Sequence, residues 1–228
     1  MAAKSVFFTH IKHAFKENLM PGIFLQVIAL LIGCCYFFWP SAQPVFTFIA
    51  NVKTENSIVF AMVSTALFGG LIPFIFLLAM GRIKFKPVQQ GLFYCFLWGF
   101  IGLVVDYFYG WQAVWFGIEN NVATIAIKTF VDQFIFSALL TCPFMTIAYL
   151  WKDQQFNFGA LKSQLNKSLF TLKIPSIVIT NWLIWLPSVS LIYMMPRALQ
   201  LPLFNVVLCF FVIVLAVLTA PETSTSHE

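Results

Sequence analysis

Charge is what this chain has least of. Asp, Glu, Lys and Arg make up 9% of its 228 residues and hydrophobic residues 61%, whereas soluble domains are roughly a quarter charged. That shortage excludes a soluble fold, because no water-facing globule of this length hides so much apolar surface. Polar and apolar residues do not alternate either. The run from Ile72 to Met80 is apolar throughout, which argues against a membrane barrel, whose strands alternate.

Histidine is scarce as well. His10, His13 and His227 fall outside the apolar stretches, while Cys34, Cys35, Cys95, Cys142 and Cys209 fall inside them without metal-ligand spacing. The cysteines read as small apolar packing residues. No His-Glu-x-x-His, Gly-x-Ser-x-Gly, P-loop or dinucleotide fingerprint occurs. Without a catalytic constellation the chain is not read as an enzyme, and no cofactor or metal is implied.

What the chain does have is apolar length. A bilayer core about 30 Å thick takes roughly 20 residues of helix. Six stretches qualify: Ile23 to Trp39, Ser57 to Met80, Val88 to Tyr109, Thr124 to Leu150, Ile174 to Met195 and Leu203 to Ala220. The expected fold class is all-α, a polytopic transmembrane helix bundle of about six spans. Residues 23–220 form the single transmembrane domain, residues 1–22 an N-terminal amphipathic helix, and residues 221–228 a disordered polar tail. In the first of these, Phe7, Phe8, Ile11 and Phe15 share a helical face from which Lys4, Lys12 and Lys16 are largely absent. An organelle presequence would be richer in Arg and Ser.

The charge that is present is one-sided. A net charge of +5 in a soluble protein would suggest nucleic acid, but here the placement matters more. Lys4, Lys12, Lys16, Arg82, Lys84, Lys86, Lys152, Lys162, Lys167 and Lys173 all flank one side of the expected bundle. The facing loops hold Lys53 and Arg197, and Lys128 falls inside the fourth span. The positive-inside rule then places both termini inside. The partner implied is the lipid bilayer, not nucleic acid. Lys152, Lys162, Lys167 and Lys173 belong to the longest polar stretch, which reads as a second amphipathic helix on the inner surface that attracts anionic lipid.

Three charges lie within spans, where Asp or Lys costs about 2.5–3.5 kcal/mol even on the mildest scale. They are Asp106, Lys128 and Asp132. Spaced i, i+4, Lys128 and Asp132 are expected to pair on one helix face. With Arg197 at a similar level, the four charges predict one neutral cluster, either a clasp or the lining of a solute pathway. Asn181, Trp182, Trp185 and Tyr193 gather around Pro187 in the fifth span. The two tryptophans lie too deep for an interfacial belt, and Asn181 is placed to hydrogen-bond another helix. Pro73, Pro143 and Pro187 predict kinks, and Ala66, Gly69, Gly70, Gly99 and Gly102 predict close helix approach.

The fourth-span sequence IKTFVDQFIFSALLTCPF carries a Lys-x-x-x-Asp-Gln element at Lys128, Asp132 and Gln133. The fifth, ITNWLIWLPSVSLIYMMP, carries Asn181, Trp182, Trp185, Pro187, Tyr193 and Pro196, and GFIGLVVDYFY precedes both. Together, over roughly Gly91 to Ala220, these resemble the Mpv-seventeen and twenty-two-kilodalton peroxisomal membrane protein family. The family's Trp-Pro pair is split here by Leu186. The resemblance implies a multi-pass protein of an organelle membrane or a bacterial inner membrane, in a family described as forming non-selective channels for small solutes.

Two functional readings follow. In the first, a weakly selective channel or pore passes between the third, fourth and fifth helices. Asp106, Lys128 and Asp132 line its outer half, and a mixed-sign lining gives poor charge selectivity. In the second, the chain is a structural or scaffolding membrane protein whose charges are a clasp and whose inner lysines hold anionic lipid or a partner protein. The sixth span, polar only at Asn205 and Cys209, reads as facing lipid or, in a homo-oligomer, another protomer.

Overall fold

The computed structural model describes the backbone of residues 2–218 and, Pro21 apart, the side chains of residues 19–214. The face expected of Phe7, Phe8, Ile11 and Phe15, and the tail 221–228, lie outside that range. The chain is an all-α bundle with no strand among the described residues. Its helices are α1 (Ala2–Phe38), α2 (Gln43–Glu55), α3 (Ser57–Ala79), α4 (Pro87–Phe116), α5 (Val122–Asp153), α6 (Phe158–Gln164), α7 (Leu169–Met194) and α8 (Arg197–Leu218).

Among the described residues five helices are long and apolar enough to cross a membrane, and a sixth crossing is available as the bent pair Gly22–Phe38 and Pro40–Glu55, which turns by 99°. The expected first span is short for a bilayer, since 17 residues give about 26 Å at 1.5 Å each. It is continuous with the residues before it, for α1 runs unbroken from Ala2. Gln43 donates its side-chain amide to the Tyr36 carbonyl across the bend. Val59, Val63, Phe96, Phe100, Leu139 and Leu140 are all exposed, an apolar perimeter suited to lipid.

Prolines shape the helices in a way that the expected kinks did not specify. A proline lacks the N–H that would bond four residues back, and its ring crowds that carbonyl. Just before Pro73, Pro143 and Pro175 the helix widens into π turns. The preceding residue reaches five residues back each time: Ile72 to Leu67, Cys142 to Ser137, Ile174 to Leu169. The turn in α5 is the longest and covers Val131–Thr141. Beside Pro187, by contrast, Gln26 of α1 donates to the Ile184 carbonyl at 2.8 Å and to Ser188 Oγ at 2.7 Å, tying α1 to α7.

α3 and α4 touch backbone to backbone. A Cβ on Gly102 would lie 2.3 Å from the Ala61 carbonyl oxygen and 2.4 Å from Thr65 Oγ1, and one on Gly70 would lie 2.8 Å from the Tyr94 carbonyl oxygen. Only glycine allows that approach. α8 closes the bundle from inside, with Leu201, Leu203, Val207 and Leu208 buried. Asn205 accepts from Thr65 Oγ1 at 2.8 Å and donates to Ser64 Oγ at 2.9 Å. The sixth expected span therefore faces α3 and the core on its polar side.

Two sequence expectations are corrected. The polar stretch from Lys152 to Lys173 is not one amphipathic helix: α5 ends at Asp153, Gln155 and Phe156 turn with positive φ, and α6 has 7 residues. The Asn157 side chain caps α6 by accepting from Ala160 N at 3.0 Å. Nor does Lys53 lie in an outer loop, since it sits near the end of α2 and is buried.

Candidate functional site

α4 overshoots its expected end at Tyr109 by seven residues and stops at Gly117, whose φ of +84° suits a residue without Cβ. Asn121 then caps α5 by accepting from Thr124 N at 2.9 Å. These two boundaries set the depth of the charged side chains: Asp106, Lys128 and Asp132 are all well inside their helices and all buried.

They do not form one cluster. Asp106 takes two cations from other helices: Lys53 Nζ at 3.0 Å and Arg197 Nη2 at 2.9 Å, with Ser57 Oγ donating at 3.2 Å. Arg197 also donates to the Asp106 carbonyl at 2.6 Å. This network joins α2, α3, α4 and α8. It carries one more positive than negative charge and matches the clasp reading of a buried charge held by partners.

Asp132 stands elsewhere and has no cation within ion-pair distance among the described residues. Tyr193 of α7 donates to Oδ2 at 2.7 Å and Gln133 Nε2 donates to Oδ1 at 2.7 Å. Gln112 Nε2 of α4 donates to Tyr193 Oη at 2.6 Å. Lys128, expected to pair with Asp132, instead places its ammonium 5.8 Å from the centre of the Tyr193 ring. The physical reason is the π turn that begins at Val131 between them. A five-residue hydrogen-bond repeat breaks the i, i+4 register on which the pairing relied.

The same π turn is pinned by α7. Trp182 Nε1 donates to the Gln133 carbonyl at 2.8 Å and packs against Phe134, the rings tilted by 42° with centres 4.5 Å apart. Asn181 Nδ2 donates to Ser137 Oγ at 3.1 Å. Backbone groups freed by the widened turn thus find side-chain partners, as the interior of a membrane protein requires.

Below Asp132 opens a cavity of about 490 Å³ between α4, α5, α7 and α8. Its deep end carries Asp132, Gln133, Ser137 and Asn181. Its walls are aromatic, among them Trp98, Phe136, Tyr149 and Trp185. Trp98 Nε1 donates to Tyr149 Oη at 3.1 Å, and Trp185 packs on Phe204 at 5.3 Å. The far end carries Asp153 and Lys173, both exposed. Neither Asp106 nor Lys128 lines this space, which corrects the residues expected to line its outer half beside Asp132. Pro187 has an exposed side chain and lies outside the lining too.

Sequence reasoning missed Lys53 as a partner of Asp106, and it missed Gln112. Lys53 falls on the face of α2 marked by Phe46, Ile49 and Ala50, which pack on the core. That i, i+3, i+4, i+7 pattern is a signal available in the sequence. Gln112 lay past the expected helix end. Tyr109, at the end of the GFIGLVVDYFY stretch that carries part of the family resemblance, is buried against Tyr193 with ring centres 5.3 Å apart.

Compared with family models, with curated proteins and with solved structures, the chain finds no match.

Proposed function

We propose that the chain is a weakly selective channel for small solutes whose path is the cavity between α4, α5, α7 and α8. The observation that carries this reading is the cavity itself: it runs from exposed Asp153 and Lys173 to buried Asp132. Intramembrane ionisable groups commonly mark a solute or proton path. The resemblance to the Mpv-seventeen family belongs to the same proposal. In the orientation that the lysine distribution favours, with both termini inside, the wide mouth faces the cytoplasm or matrix and Asp132 lies in the outer half. The host would be a bacterial inner membrane or an organelle membrane.

Under this reading the deep end is a gate. The chain Gln112 to Tyr193 to Asp132 spans α4, α7 and α5 with hydrogen bonds of 2.6 Å and 2.7 Å, and it stands where the cavity stops. Passage then requires Tyr193 to leave Asp132. Solute flux into vesicles holding purified protein tests this: Tyr193→Phe should raise flux, and an unchanged, zero flux in both proteins rejects a channel.

A second reading, a scaffold that holds anionic lipid or a partner, is favoured by a different observation. Lys162, Lys167 and Lys173 are all exposed and are interleaved with exposed Phe158, Leu165, Phe170 and Leu172. Alternating cations and apolar groups suit the headgroup layer.

A further inference from the structure

We propose that the cavity binds an organic cation, its ammonium group on Asp132 and its apolar body among Trp98, Phe136 and Trp185. The proposal rests on the reading of this cavity as a solute site, and it names the class of solute.

The deep end lacks a positive charge. An ionised carboxylate offers about four acceptor sites, and Asp132 uses two of them, one for Tyr193 and one for Gln133. The cations nearby are committed elsewhere. Arg197 is bonded to Asp106, and the Lys128 ammonium lies against the Tyr193 ring. A buried carboxylate without a counter-ion is unfavourable, so a cation entering from the cavity gains more here than in water. Gln133 Oε1 and Ser137 Oγ, which accept from Asn181, supply further oxygen beside it.

The walls fit the rest of such a ligand. Trp, Tyr and Phe faces attract cations by their quadrupole, most strongly where water is excluded, and they cover apolar carbon. The volume of about 490 Å³ falls within the range of small-molecule sites, roughly 300–1,000 Å³. Asp153 and Lys173 at the mouth are of opposite sign and leave entry electrically open. An anion of the same shape meets no such partner at the deep end and faces the Asp132 charge.

The test is calorimetric titration of the full chain in lipid nanodiscs with three probes of closely similar shape: benzylammonium, neutral benzyl alcohol and anionic benzoate. The expected result is saturable binding of benzylammonium, about tenfold or more weaker in Asp132→Asn. Trp185→Leu should weaken it several-fold by removing a wall that covers the benzyl ring. Equal binding of all three probes, or cation binding that ignores Asp132→Asn, would overturn the proposal. If Asp132→Asn does not fold, the preference of the wild-type protein for the cation over its two isosteres decides alone. The two readings fail separately: cation binding without flux rejects the channel and keeps the site, whereas flux without cation preference keeps the channel and rejects the site.

Discussion

Tyr193 donates a 2.7 Å hydrogen bond to Asp132, while Lys128, one helical turn before Asp132 on the same helix, points its ammonium at the far partner's ring instead. The contact between helices thus replaces the contact within one. A double-mutant cycle measures the difference. Tyr193→Phe with Asp132→Asn should show a coupling on the order of 1 kcal/mol, as for buried hydrogen bonds between membrane helices. Lys128→Met with Asp132→Asn should couple by less than about half of that, for lack of contact. Equal couplings would mean that Lys128 and Asp132 do pair.

Asp106 holds Lys53 and Arg197 together, so its loss leaves a buried and a half-buried cation side by side. Asp106→Asn should destabilise the protein in detergent by about 3–5 kcal/mol, the cost of breaking a buried pair from one side. Lys128→Met, which removes a buried cation without an ion-pair partner, should cost far less or stabilise. Denaturation that ranks these two variants the other way round contradicts the clasp at Asp106.

The crossing of α3 and α4 predicts a contrast between glycines. Gly102→Ala would set a Cβ 2.3 Å from the Ala61 oxygen and should cost about 1–3 kcal/mol, since two backbones must part. A Cβ on Gly33 of α1 meets nothing within 4 Å. Gly33→Ala should be neutral or stabilising by up to about 1 kcal/mol, through helix propensity. Similar melting shifts for both would place the α3–α4 contact elsewhere.

Exposed Lys162, Lys167 and Lys173 predict that the purified protein carries anionic lipid. Replacing all three by Gln should reduce the co-purified anionic lipid several-fold, at roughly 1 kcal/mol per lysine near a charged surface. Mass spectrometry of extracted lipid reads the change, and an unaltered lipid profile removes support from the scaffold reading.

The helical fold was legible because apolar length alone determines it: five of the stretches found by hydropathy are helices long and apolar enough to cross a membrane. Gly69, Gly70 and Gly102 were legible as packing residues for the same reason, being small where little else is polar. Asp106 and Arg197 were legible as opposite charges at one level and do pair, whereas Lys128 and Asp132 were legible as intramembrane charges and misread in their partners. Lys128 and Asp132 were paired by α-helical spacing, but Pro143 lies downstream and the helix between is π, a tertiary accommodation that spacing does not carry. Lys53 was assigned to a loop because α2 is too short to read as a span. The bend of 99° before it folds that helix back onto Asp106. The cavity was expected between helices three, four and five, whereas α8 supplies Phe204, Leu208, Phe211 and Val212 to its wall; nothing in a uniformly apolar helix announces which face turns inward.

The central claim is that solutes pass by Asp132 and not by Lys128 or Asp106, and single-channel conductance in a planar bilayer tests it most directly. Wild type, Asp132→Ala and Lys128→Ala should be compared at matched folding, judged by helicity and monodispersity. The account predicts conductance that changes in amplitude or open probability in Asp132→Ala and stays as in wild type in Lys128→Ala, because only the first of these residues lines the cavity. A conductance that responds to Lys128→Ala and ignores Asp132→Ala, or a bilayer silent with well-folded wild-type protein, would contradict it.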